Sequence, residues 1–140
     1  MINLENMNRQ HAAIMNEVSL IEEEIKKEKE AINYMDVALH INRLAGQLKM
    51  HLLEEDKYLY PDLLKCKDKE VQTMAQQYIS EMGNLDEAYT AYKVAFNVSS
   101  KIKMNTDVFI SETKKTMDTL RKRMEKEDQQ LYRIIVERKL

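Results

Sequence analysis

Two glycines and one proline are all that punctuate 140 residues. Hairpins, bulges and tight turns draw on those two residue types, so a chain this poor in them has few places to reverse. It is expected to form long helices joined by short connections, and the abundance of Leu, Lys, Glu, Met and Ala agrees with that. Four stripes of inward residues, stepping by three or four, mark the helices. The first is Leu4, Met7, His11, Ile14, Val18, Ile21 and Ile25. The second is Val37, Ile41, Leu44, Leu48, His51, Glu55 and Leu59. The third is Val71, Ala75, Tyr78, Met82, Leu85, Tyr89, Tyr92 and Phe96. The fourth is Phe109, Thr113, Thr116, Leu120, Arg123, Glu127, Leu131 and Ile134. No stretch alternates as a strand would.

Breaks are expected near Glu30–Tyr34, after Tyr60-Pro61, and between Asn97 and Asn105, with Asp36, Asp68 and Thr106 as N-caps. Short connections make successive helices antiparallel neighbours. The expected fold is therefore all-α, an antiparallel up-down-up-down four-helix bundle spanning residues 1–140 as one domain.

Several function classes are disfavoured. The net charge is −2, with acids and bases interspersed, so no basic surface suited to nucleic acid is expected. No apolar run approaches the ~20 residues of a membrane span. The opening MINLENMNRQ lacks a basic and apolar leader, and Cys66 has no second cysteine to pair with, which together suggest a reducing, cytoplasmic setting. There is no glycine-rich phosphate loop, no cysteine pair for zinc and no nucleophile–base pair, so a binding role is expected rather than an enzyme.

The informative residues are those that interrupt the apolar stripes: His11, His51 with Glu55, Met82, and Arg123 with Glu127. Counting from the connections places His11, His51, Met82 and Arg123 at roughly one height in the bundle. Buried charge is tolerated when it is paired or binds a metal. His51 and Glu55, four residues apart, stand one turn apart on one face and can reach a common ion. An internal repeat links two helices. In His51-Leu-Leu-Glu-Glu55-Asp56-Lys-Tyr-Leu59-Tyr60 and Arg123-Met-Glu-Lys-Glu127-Asp128-Gln-Gln-Leu131-Tyr132, the Glu, Asp, Leu and Tyr positions match and His has become Arg.

These residues, above all HLLEEDKYLYP at 51–61 and RQH at 9–11, resemble the hemerythrin-like, HHE cation-binding family over nearly the whole chain. The resemblance implies a di-iron pattern of a His on helix one, His-x-x-x-Glu on helix two, a His on helix three and His-x-x-x-Glu on helix four. Carried over, His11, His51, Glu55 and Glu127 match. Met82 stands in the helix-three position and Arg123 in the helix-four His position. The implied cofactor is non-haem iron in a mononuclear or incomplete di-iron site. The implied ligands are a metal ion and a small diatomic molecule, with roles in binding or sensing oxygen, nitric oxide or iron.

The alternative is a metal-free regulatory or interaction module in which the Arg123 guanidinium neutralises Glu55 and Glu127. Met82 is expected to pack rather than ligate, since thioethers favour softer metals. His40 lies too far along its helix to join the site and is expected to pair with Glu112. Tyr78, Tyr89 and Tyr92 are expected in or beside the core.

Overall fold

The computed structural model describes residues 2–140, and among them the regular structure is all helix, joined by short connections, with no strand. The long elements are α1 (Glu5–Ile25), α2 (Tyr34–Glu54), α4 (Lys69–Phe96) and α6 (Thr106–Lys126). Shorter ones are α3 (Tyr60–Lys65), α5 (Ser99–Met104) and α7 (Arg133–Glu137), with a 3-10 turn at Lys29–Ala31. Two π-helical turns, Glu55–Leu59 and Glu127–Tyr132, join α2 to α3 and α6 to α7 without interrupting the helical path. Helix α1 packs against α2 and α6, α2 packs against α4, and α4 also meets α6. No helix among the described residues is long and apolar enough to cross a membrane.

The stripes explain the packing. Every residue of the first two is buried, and so is every residue of the third except half-buried Met82. The fourth slips: Thr116 and Ile134 are half-buried, while Met117 and Ile135 fill the core. Two apolar clusters result. One gathers Ile14, Val18, Ile41, Leu44, Leu48, Leu120 and their neighbours. The other gathers Leu4, Met7, Leu59, Leu63, Tyr78, Leu131 and Ile135. Met82 packs against both.

The ends of the helices differ from expectation in instructive ways. Asp68 caps α4, accepting from the Glu70 and Val71 N–H groups at 3.1 and 3.3 Å. Asn33, not Asp36, caps α2, because the Asp36 N–H donates to Asn33 Oδ1 at 3.0 Å. Asn105, not Thr106, caps α6, accepting from the Val108 N–H at 3.2 Å. In both cases the acceptor stands three residues before the donor, the spacing an N-cap requires. The expected break after Pro61 is also corrected. Helix continues through Pro61, which sits in the first turn of α3, and the chain reverses at Cys66–Asp68 instead. A proline in a first helical turn leaves no needed donor missing.

Candidate metal centre

The two π-turns fall on the two copies of the internal repeat, each beginning at its glutamate. In a regular α-helix, residues five apart point about 140° away from each other. A π-turn widens the coil so that they stand side by side. The Tyr60 N–H accordingly reaches back five residues to the Glu55 carbonyl. Glu55 and Tyr60 therefore both face inward, and so do Glu127 and Tyr132. Proline is not the cause, because the second copy has Arg133 where the first has Pro61.

The inward groups form a buried polar cluster. His11 Nε2, His51 Nε2 and Glu127 Oε1 meet at a point: the separations are 2.9 Å between the two nitrogens, 2.8 Å from His11 to Glu127 and 3.0 Å from His51 to Glu127. The outer ring nitrogens are held in place. His11 Nδ1 donates to Asp128 Oδ1 at 2.8 Å, and His51 Nδ1 donates to Gln10 Oε1 at 2.9 Å. Outer N–H groups anchored this way turn the Nε2 lone pairs toward each other, as in histidines that ligate metals.

Glu55 Oε1 lies 3.2 Å from His51 Nε2, but the angle does not make a hydrogen bond, and this fully buried oxygen has no hydrogen-bond partner. Tyr132 Oη sits 3.1 Å from His11 Nε2, 3.2 Å from Glu55 Oε2 and 3.3 Å from Glu127 Oε1. There are thus more converging lone pairs than protons to share among them. Neighbouring ligands of an octahedral ion, at bond lengths of about 2.1 Å, lie about 3.0 Å apart. The orphaned Glu55 oxygen and these spacings fit a cation held by His11, His51, Glu127 and Glu55.

The other side of Glu127 faces a cation of the protein itself. Arg123 Nε donates to Glu127 Oε2 at 2.6 Å, and its terminal nitrogens donate to Tyr60 Oη, the Tyr78 carbonyl and Glu81 Oε2, each at 3.2 Å. The guanidinium also lies over the Tyr78 ring, 4.7 Å from its centre. Glu81 is held in turn by Lys126.

Protonation follows from this wiring. Burial works against charge on His51, but its hydrogen bond to Glu127 and the Glu55 carboxylate close beside it carry its pKa up to about 9. Burial likewise opposes charge on Glu127, yet its close contacts with His11 and with the proton-bearing His51 hold it well below the usual carboxylate range. Glu55 is pushed up by burial, against the pull of His51 and with the help of the Glu127 charge. Burial opposes the Arg123 charge as well, and Glu127 more than offsets it. In the metal-free protein a proton on His51 bridges to Glu127, in the position a metal would take.

The four residues His11, His51, Glu55 and Glu127, drawn from three stretches of chain, thus come together, with Arg123 directly beside them. Met82 does not join as a polar partner; on α4 the groups that meet Arg123 are the Tyr78 carbonyl, one turn earlier, and Glu81 Oε2. Tyr60, Tyr132, Gln10 and Asp128 were not anticipated from helical periodicity, although the repeated Glu-Asp-x-x-Leu-Tyr carried the first hint.

Elsewhere, His40 pairs with buried Glu17, its Nδ1 2.6 Å from Glu17 Oε2, while Glu112 is exposed. His40 therefore faces α1 and not α6. Tyr89 donates to the Ile41 carbonyl at 2.8 Å and the Tyr92 hydroxyl pairs with that of Thr113 at 2.8 Å.

The family model described as the hemerythrin HHE cation binding domain matches residues 3–135. No curated protein and no solved structure matches the chain.

Proposed function

We propose that this chain, which belongs to the hemerythrin HHE cation-binding domain family, binds a single non-haem transition metal between its long helices, as a binding or sensing protein rather than a catalyst. We read α1, α2, α4 and α6 as the antiparallel up-down-up-down four-helix bundle of that family. The observation that carries the metal reading is the meeting of His11 Nε2, His51 Nε2 and Glu127 Oε1, all buried and all within 4.8 Å of one another. Two imidazoles and one carboxylate on adjacent vertices, leaving positions open, are the donor set of non-haem iron. Iron is accordingly the proposed metal, and the open positions suit a small ligand such as oxygen or nitric oxide. Arg123 supplies the second positive charge on the far oxygen of Glu127, which limits the site to one metal ion.

Protein purified without chelators or nickel affinity resin, then reconstituted anaerobically with ferrous iron, tests this by elemental analysis. One iron per chain is expected in wild type and none in His51→Ala. Two irons per chain would contradict the single-ion reading. A second reading, the metal-free module, draws on the 2.6 Å contact between Arg123 and Glu127 and on the proton held by His51. Folded wild-type protein that takes up no metal under these conditions would establish it.

A further inference from the structure

We propose that Tyr132 is itself a ligand, its phenolic oxygen bonding directly to the cation, so that the centre has five protein donors and selects ferric iron. This rests on the single-metal reading above. Tyr132 is 4% exposed, and its ring stacks on His11 with the centres 4.9 Å apart. Its Oη lies 3.1 Å from His11 Nε2 and 3.3 Å from Glu127 Oε1. These separations resemble those among the three agreed ligand atoms, and they match the ~3.0 Å edge expected between neighbouring donors on one ion. The hydroxyl carries one proton and has three acceptor atoms in reach, so as a simple hydrogen-bond donor it serves only part of its surroundings. A cation in the middle would serve all of them.

Its counterpart in the repeat makes the contrast. Tyr60 occupies the matching place in the first π-turn, yet its hydroxyl accepts from Arg123 at 3.2 Å and has no His partner. Each tyrosine thus reaches across to the cation position of the opposite half: Tyr60 to the guanidinium, Tyr132 to the His and Glu donors. Charge supports the assignment. Glu55 and Glu127 contribute two negative charges to the centre and Arg123 one positive, which leaves a single negative charge to face the metal. A phenolate adds a second, which lowers the net charge of a bound trivalent ion from +2 to +1, and buried charge costs less the more fully it is offset. On binding, the Tyr132 O–H bond breaks, an oxygen–metal bond forms, and the proton leaves to solvent; no electron is transferred. Three hard oxygen donors beside two imidazoles favour the trivalent ion over softer divalent ones.

The test is wild-type protein loaded from ferric citrate and compared with Tyr132→Phe and Tyr60→Phe, with folding followed by circular dichroism. Wild type should show the visible phenolate-to-iron charge-transfer band and resonance-enhanced phenolate vibrations. Tyr132→Phe should lose both, and bind iron on the order of tenfold or more weakly. Tyr60→Phe should keep both. Should Tyr132→Phe fail to fold, retention of the band in Tyr60→Phe and Tyr78→Phe assigns it to Tyr132 by elimination. Iron bound without the band, or a band that survives in folded Tyr132→Phe, overturns the ligand assignment and leaves the single-metal reading standing. Folded wild type that takes up no iron overturns both.

Discussion

Replacing Arg123 by Ala is the perturbation that most directly separates the roles of protein charge and metal charge. The guanidinium is buried and makes four polar contacts, of which the 2.6 Å bond to Glu127 is the shortest. Removing it leaves Glu127 Oε2 without that donor, leaves the Tyr60 hydroxyl unpaired by Arg, and takes the cation from over the Tyr78 ring. Breaking one partner out of a buried ion pair costs about 3–5 kcal/mol. The proton shared by His51 and Glu127 remains, so the lower end of that range is the better expectation. At roughly 3 °C per kcal/mol for a chain of this length, the melting temperature of chelator-treated protein should fall by roughly 10 °C.

Adding metal should act in the opposite direction. Without the fixed charge beside Glu127, an incoming cation meets less repulsion, so the variant should bind it more tightly than wild type. Binding to the folded state alone stabilises by about 2.7 kcal/mol at a hundredfold excess over the dissociation constant, enough to recover most of the loss. Melting is followed by circular dichroism with and without ferrous iron. Arg123→Lys keeps the charge while losing the forked contacts, and should fall between the two. If chelated Arg123→Ala melts within about 3 °C of wild type, or if metal stabilises it less than wild type, Arg123 is not the counter-charge described here.

The pH dependence has a definite sign. The His51 pKa is raised from 6.5 to about 9, so the stability it contributes to metal-free protein is fully present below pH 6.5 and lost as pH rises through 9. The loss is about 3 kcal/mol, and chelated protein that melts at the same temperature at pH 6.5 and 9.5 would refute it. Metal must displace that same proton, so apparent affinity should rise about tenfold per pH unit up to about 9, measured by competition with a chelator of known affinity. Leu48, 2% exposed at the centre of the larger cluster, should not tolerate Asp; Leu48→Asp is expected to be unfolded by circular dichroism, and near-unchanged melting would mean the core is misplaced. Combining Arg123→His with Met82→His should raise iron per chain above one, and an unchanged stoichiometry in folded protein would show that Arg123 does not occupy a ligand position.

Much of this was readable before the structure because helical periodicity is a long-range signal. The stripes placed Ile14, Leu44, Leu48 and Leu120 in the core, and the polar interruptions pointed to His11, His51, Glu55, Arg123 and Glu127. What could not be read depends on departures from that period. Tyr60 and Tyr132 stand five residues after their glutamates, a spacing that a regular helix directs away from the core and a π-turn brings back. The same widening moves the buried position from Ile134 to Ile135. Glu17 was missed for another reason. It lies off the apolar stripe, and its meeting with His40 and Arg43 across α1 and α2 makes burial tolerable. Partners brought together from distant stretches of chain leave no local mark.

The centre is best understood through Glu127. Its Oε1 faces two histidines and its Oε2 faces a guanidinium. A carboxylate so placed is a bridge between two positive positions, one fixed by the protein and one left to a proton or a metal. The repeat supplies the reason. It sets two Glu-Asp-x-x-Leu-Tyr turns in the same centre, so each half brings one glutamate, one tyrosine and one residue at the His51 or Arg123 position. Where that residue is His, its ring nitrogen can lose a proton and accept a metal. Where it is Arg, the charge is permanent, and a metal there would face an uncompensated cation. On the proposed reading, Arg123 together with Met82 on α4 leaves a centre with a single exchangeable position, with Glu127 held between that position and a fixed cation.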